Sequence, residues 1–423
     1  MSNEITKPKL FFVPHYVGSL RYFEKLLPHL TGRYEVRFLL LFVHQVTYGE
    51  MLAYCRQRDL AYDLVVPPKA IDNSRKTKFP VFSLIRDLIS YKKQILSLLN
   101  GQRIKKIISV NDGGIYVGYL MTEANRRGID TAVLQWALAY EGQRERPKKE
   151  IFVWRRILYQ LIKPVYIAFK KAVVLLILDF YQTKGVPGGG TAKRFGIINQ
   201  QAWEFFRKQG VPPEKMTVVG YLDFHLAEAK KKQLDADGLA RKKAAETLGL
   251  DLGKKQIVIF TSAYNSRVVN VLNDNGQYQF YENIVKIIKQ IYPKESHEII
   301  IKPHPIERTE LYQPLEKFGV KIFANLADNF TLVYFSDLYI ADSSTANFIP
   351  ITMGKKTIFI NFFHLPLIEK SAPYFGIKGF ITNQDEFRSL LQKHKAGILD
   401  YQYETKKEII TPDSLTKILN WIG

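Results

Sequence analysis

The chain has 423 residues, 46% of them hydrophobic and 24% charged. These proportions exclude general disorder and collagen-like structure, and the length suits two domains of roughly 150–200 residues each. Lys plus Arg number 61 against 40 Asp plus Glu, and the net charge of +21 implies polyanionic partners: phosphate-rich ligands, nucleic acid or an anionic membrane face.

The single cysteine, Cys55, excludes a disulfide framework and a cysteine-rich zinc site, and a reducing compartment is the default setting. The opening MSNEITKPK is polar and has no secretory apolar core, so a cytoplasmic location is expected. No uninterrupted apolar run reaches about 18 residues, the length a conventional spanning helix needs.

In chain order, strand-like runs cover 9–16, 35–43, 63–68, 105–112 and 131–138. A helical spacing follows the first of them through Leu20, Phe23, Leu26, Leu27 and Leu30, and another follows Gly113–Gly114. Strands alternating with helices predict a parallel sheet, whose ligands bind beyond the carboxyl ends of the strands. Residues 151–182 mix apolar and aromatic side chains with Arg155, Arg156, Lys163, Lys170 and Lys171. This pattern predicts a helix, or a hairpin bent at Pro164, lying in a membrane interface.

After the glycine-rich loop 185–190 come a helix near 201–209 and a strand from 215 with a glycine exit. A charged helical connector follows. The second half repeats the alternation, with strand-like runs at 256–264, 297–305, 320–325, 336–344 and 355–362 and a mostly helical tail. The expected architecture is therefore α/β, with two doubly wound domains facing a central cleft. The expected boundaries are 1–230, a connector 231–255, a second domain 256–400 and a tail 401–423.

Two motifs stand at predicted strand ends: Lys302-Pro-His304-Pro and Asp342-Ser343-Ser344-Thr345-Ala346. They bring an ammonium, an imidazole, three hydroxyls and a helix start to one crevice, a set that suits a phosphate or diphosphate. Ser262 and Arg267 follow the first strand of the second half and offer further phosphate donors. On the other half, His15, Asp112 and Glu141 follow strands and are candidate general bases. Asp328 before the helix at 329 suits an N-cap. Asp235-Ala-Asp237 lies in the charged connector with no strand before it and reads as a solvated helix face, so no metal site is expected. The histidines lack zinc spacing, 185–190 lacks the Lys of a P-loop, and no Gly-x-Ser-x-Gly elbow occurs.

The order of elements resembles a GT-B glycosyltransferase. Within that fold, His304–Pro305 and Ser343–Ser344–Thr345 resemble the nucleotide-phosphate motifs of capsule and surface-polysaccharide transferases, bacterial polysialyltransferases and CDP-glycerol glycerophosphotransferases. The segments 109–135 and 195–225, the latter with a Gly220-x-x-Asp223 turn, are similar to their first-domain patterns. The chain departs at Gln135–Trp136–Ala137, where those families carry Gln-His-Gly, and it has no carboxylate just after Ser344–Thr345.

The resemblance implies a metal- and cofactor-independent transferase with a nucleotide-activated donor on the second domain. His15 would then lie in a cleft-facing loop near the acceptor. The acceptor would be a surface glycan or a lipid-linked chain, met at the inner membrane face through 151–182. A GT-B nucleotide-sugar 2-epimerase is the alternative; it requires several acidic residues and a Ser-Gly-Gly type turn in place of 342–346. A non-enzymatic polyanion-binding protein is the third reading. Recognisable nucleic-acid signatures are missing from the sequence, so no specific nucleic acid is expected.

Overall fold

The computed structural model describes residues 7–41, 45–66, 80–137, 167–181, 186–264, 271–304, 307–323, 328–342, 344–369, 372, 376–403 and 409–423. Strands β1 (Lys9–Val13), β2 (Glu35–Leu41), β3 (Tyr62–Val65), β4 (Ile104–Ser109), β5 (Asp130–Leu134), β6 (Arg194–Ile197) and β7 (Met216–Val218) form the first sheet. Their order is β3-β2-β1-β4-β5-β6-β7. Strands β8 (Lys255–Phe260), β9 (His297–Lys302), β10 (Val320–Ile322), β11 (Ser336–Ala341) and β12 (Lys356–Phe359) form the second, in the order β10-β9-β8-β11-β12. Neighbouring strands within each sheet run parallel.

The two sheets bear out the doubly wound α/β architecture. Strands buried on both faces read as continuous apolar runs, and β1 shows why. Leu10 and Phe12 enter one core, while Phe11 and Val13 enter the core on the opposite face. The four-residue β6 carries too short an apolar run to stand out in the sequence.

In each sheet the chain order reverses direction beside one strand. That point lies between β1 and β4 in the first sheet and between β8 and β11 in the second. A crevice opens where the helices on the two sides diverge, and ligands of such sheets bind there.

Two helices, Leu222–Ala236 and Gly238–Thr247, cover most of the segment 231–255 expected as a connector. The tail does not stand apart. Its helix Ser414–Ile422 places Ile418, Trp421 and Ile422 in the core that holds Ile197 and Val219 of the first domain. The Arg194 guanidinium lies 4.9 Å from the Trp421 ring centroid, and the Thr411 hydroxyl donates to the Ile198 carbonyl at 2.9 Å.

Of the amphipathic stretch 151–182, residues 151–166 and 182 lie outside the described residues, and 167–178 form a helix. Among the described residues no helix is long and apolar enough to cross a membrane.

Candidate functional site

The three central strands of the second sheet end in step. Ile259 of β8 is level with Ile301 of β9 and with Ile340 of β11. The polar residues that follow, Thr261–Tyr264, Pro303–His304, and Asp342 with Ser344 and Thr345, therefore leave the sheet together at its switch point. This order sets the exits of β9 and β11 on the two sides of β8.

A buried carboxylate organises the crest. Glu307 accepts the backbone N–H of His304 at 2.8 Å, the Gln277 amide at 2.7 Å, and the hydroxyls of Thr261 and Tyr312. The His304 N–H also reaches the Thr261 hydroxyl oxygen at 2.9 Å. Gln277 bridges to the Ser262 carbonyl at 2.6 Å, and the Ser262 N–H donates to the Tyr281 phenol oxygen at 2.7 Å. The His304 backbone N–H is thus held by two side chains, Thr261 and Glu307, and Gln277 and Tyr312 hold Glu307 in turn. Burial pushes the Glu307 carboxyl upward, and its four donors oppose the rise.

Lys302, at the end of β9, is 3% exposed. Its ammonium sits 5.3 Å from the centre of the Phe260 ring and makes no ion pair among the described residues. Burial lowers its pKa to about 8. Burial, and then the Lys302 charge, lowers that of His304 to about 4, so the imidazole is neutral at pH 7. Burying an ammonium is costly unless an anion or a polar partner meets it.

Asp342 is 5% exposed, and burial raises its pKa to about 7; Ser262 and Tyr264 oppose the rise, and Glu307 adds to it. Among the described residues its Oδ1 and the Tyr264 hydroxyl have no hydrogen bond of good geometry. The Ser262 hydroxyl is turned toward this carboxyl, a different engagement from the phosphate contact expected of it.

Ser344 caps the turn Thr345–Asn347 by accepting the Ala346 N–H at 3.2 Å, so this helix start is less open than expected. The Thr345 hydroxyl lies close enough to the Tyr221 phenol to oppose the rise that burial gives its pKa. Tyr221 stacks on Tyr22 of the helix Val17–Glu24 at 5.4 Å and packs against Phe348 at 5.7 Å. Rings from both domains thus connect the two crests. Ser343, Pro305 and Arg267 lie outside the described residues.

At the first switch point, His15 leaves β1 and its Nε2 lies 3.3 Å from the hydroxyl of Ser109, the last residue of β4. Ser109 also donates to the carbonyls of Val13 and Asn111, at 3.2 and 2.8 Å. Ser19 accepts the His15 and Tyr16 N–H groups at 3.0 and 3.1 Å and so fixes the loop. Burial lowers the His15 pKa to about 4.

Asp112 has a different role from the base expected there. It is fully buried, and its two oxygens accept the N–H groups of Gly188 at 2.9 Å and Ala192 at 3.1 Å. A Cβ at Gly190 would meet this carboxyl at 2.6 Å, and Gly188 holds φ at +75°, so the glycines let the loop close on Asp112. Burial raises the Asp112 pKa against those donors. It is a loop anchor. Glu141 lies outside the described residues.

Asp328 accepts the Phe330 N–H at 2.9 Å, as an N-cap does. Asp235 is engaged by Lys231 at 2.5 Å and by the Tyr334 hydroxyl at 2.9 Å.

Sequence reading missed Thr261, Gln277, Glu307 and Tyr312. Glu307 left one signal, an acid three residues after His304 on a strand exit. Gln277 left none, because it lies inside the helix Asp274–Ile291.

No family model matches the chain, and no curated protein matches it in sequence. Solved structures do share its fold. The UDP-GlcNAc 2-epimerase from Neisseria meningitidis, bound to UDP-GlcNAc, superposes with a TM-score of 0.56 at 12% identity, over 98% of this chain and 99% of that one. The S. aureus MnaA structure with UDP gives 0.53 at 11%, over 98% and 96%. A variant of the wall teichoic acid polymerase TagF, soaked with CDPG, gives 0.50 at 11%, over 99% and 88%. The chain has the GT-B fold, and these neighbours are enzymes.

Proposed function

We propose that the protein is a transferase. It moves a sugar or polyol phosphate from a nucleotide-activated donor to a hydroxyl of a surface-glycan or lipid-linked acceptor, using no metal or cofactor. The observation that carries this reading is Lys302, buried with no ion pair among the described residues, beside neutral His304 at the second switch point. The donor's phosphates supply a counter-charge. Neighbours of the same fold include structures with UDP-GlcNAc, UDP and CDPG bound, which supports a nucleotide-linked ligand.

In the step, the acceptor oxygen bonds to the transferred group. The bond from that group to the nucleotide's phosphate oxygen breaks, and its electron pair leaves with the nucleotide. Lys302 and His304, with hydroxyls of 343–345, stabilise the charge that grows on the leaving phosphate. The acceptor proton passes to His15, whose neutral imidazole is in the accepting form. Negative charge from the bound donor raises its basicity. The absence of a Ser-Gly-Gly type turn at 342–346 weighs for transfer over epimerisation.

A thermal-shift screen against CMP, CDP, UDP, GDP and ADP tests this directly. One nucleotide should stabilise the wild type by about 2.7 kcal/mol at a hundred times its dissociation constant. His304→Ala should lose that gain. If no nucleotide stabilises the wild type, the reading fails.

The enzyme is expected to work at an anionic membrane face, peripherally and on the cytoplasmic side. On helix 167–178, Leu176 is 87% exposed, and Ile167, Phe169 and Leu175 are exposed with it beside Lys170 and Lys171. Exposed apolar side chains interleaved with lysines fit an interfacial helix. Leu175→Asp with Leu176→Asp should cut binding to phosphatidylglycerol vesicles at least tenfold in a sedimentation assay. Undiminished binding would remove this helix from the contact.

A further inference from the structure

At the exit of β5 stands Trp136, in the place where the resembling families carry a histidine. Gln135 beside it is committed to the fold. Its amide oxygen accepts the Ile198 N–H at 3.1 Å, and its amide nitrogen donates to the Ala137 carbonyl at 3.2 Å. Trp136 is half-buried, with part of its indole packed against the core that holds Leu20 and Leu134.

The Trp136 indole reaches Gly18, where a Cβ would lie 3.0 Å from Cζ3 and 3.3 Å from Cη2. Gly18 follows β1, and β5 is two strands from β1, about 9.5 Å away. The indole therefore bridges above the intervening exit of β4, the switch point where His15 meets Ser109. Tyr16, in the same loop as His15, is 51% exposed. Trp136 and Tyr16 thus belong to strand exits at the same switch point as His15 and Ser109.

We propose that Trp136, with Tyr16 at the same switch point, is the stacking platform for a pyranose ring of the acceptor. The proposal rests on the transferase reading above and narrows its acceptor to a saccharide. The face of an indole carries excess electron density and attracts the partial positive charge of C–H groups. A pyranose offers a flat face of such C–H groups, ringed by hydroxyls that suit His15 and Ser109. An open-chain polyol phosphate offers no flat face, and its phosphate is repelled by the indole's.

Saturation-transfer NMR with chitobiose, maltose and glycerol 3-phosphate, in the presence of UDP or CDP, tests this on the full chain. Ring protons of a disaccharide should receive saturation from the wild type. Trp136→Ala should abolish the transfer, and Trp136→Tyr should retain part of it. Gly18→Ala should weaken the affinity at least tenfold, because the new methyl pushes the indole aside while a helix gains from alanine. Saturation of glycerol 3-phosphate alone, disaccharide binding indifferent to both Ala variants, or no saccharide binding would each overturn the platform. The nucleotide thermal shift should be unchanged in these variants. Its loss in the wild type would instead strike the transferase reading, which separates the two failures.

Discussion

Lys302→Met is expected to make the protein more stable and unable to bind nucleotide. The fold carries this ammonium 3% exposed, and burial lowers its pKa from 10.5 to about 8. Below pH 8 the group is charged in both folded and unfolded chains, so the full cost of burying the charge is present. Between pH 8 and 10.5 the folded chain sheds the proton first, and wild-type stability rises with pH. Each pKa unit is worth about 1.4 kcal/mol, and the lost cation–π contact with Phe260 offsets about 0.5–1 kcal/mol. The net gain for Met at pH 7 is about 2.5–3 kcal/mol, and it fades as the pH approaches 10.5. Chemical denaturation at pH 7 and pH 10, with a nucleotide thermal shift in parallel, measures both halves. A variant that binds nucleotide as well as the wild type would show that Lys302 is not the phosphate ligand.

Glu307→Gln should do the opposite, costing stability and binding together. Four donors converge on the carboxylate: the Thr261 and Tyr312 hydroxyls, the Gln277 amide and the His304 N–H. A carboxylate satisfies all four with two oxygens, whereas an amide turns its NH2 against those on one side. The expected loss is about 2–3 kcal/mol, the cost of leaving buried donors unpaired. Nucleotide affinity should fall at least tenfold, because the backbone carrying His304 loses its fixing. Thr261→Val removes one donor and keeps the carboxylate, so it should cost about 1 kcal/mol. If Glu307→Gln unfolds at the wild-type midpoint and keeps the full nucleotide shift, the network does not hold the loop.

Much of the architecture was legible in the residues. Parallel strands buried on both faces leave unbroken apolar runs, so β1, β2, β4, β8, β9 and β11 were visible as such. Their exits were visible too, because a strand ends where polar and turn-forming residues begin. The switch-point rule then brings Lys302–His304 and Asp342–Thr345 together without any knowledge of their contacts. Short β6 and the helix Pro80–Asn100 went unread. The first has too few residues to show a period, and the second follows a strand and two prolines that end one pattern without announcing the next.

The roles of individual polar side chains were the least legible. Asp112 at a strand exit before two glycines reads equally as a base or a turn residue. The decision comes from Gly188 and Ala192, whose N–H groups return to it from 76 and 80 residues away. His15 shows the converse. It became a better candidate only when the fold set it beside Ser109, 94 residues on.

By itself the sequence determined two parallel-sheet domains, a strongly basic character and two phosphate-suited motifs at strand ends. Periodicity, charge and strand-end chemistry are local properties that neighbouring residues carry. Tertiary structure alone decided which carboxylates are structural, which histidine backbone is pinned by Glu307, where the indole of Trp136 lies, and that the final helix packs on the first domain. Each of these depends on partners far along the chain, and burial and hydrogen bonding set a side chain's charge and reach only after those partners have met.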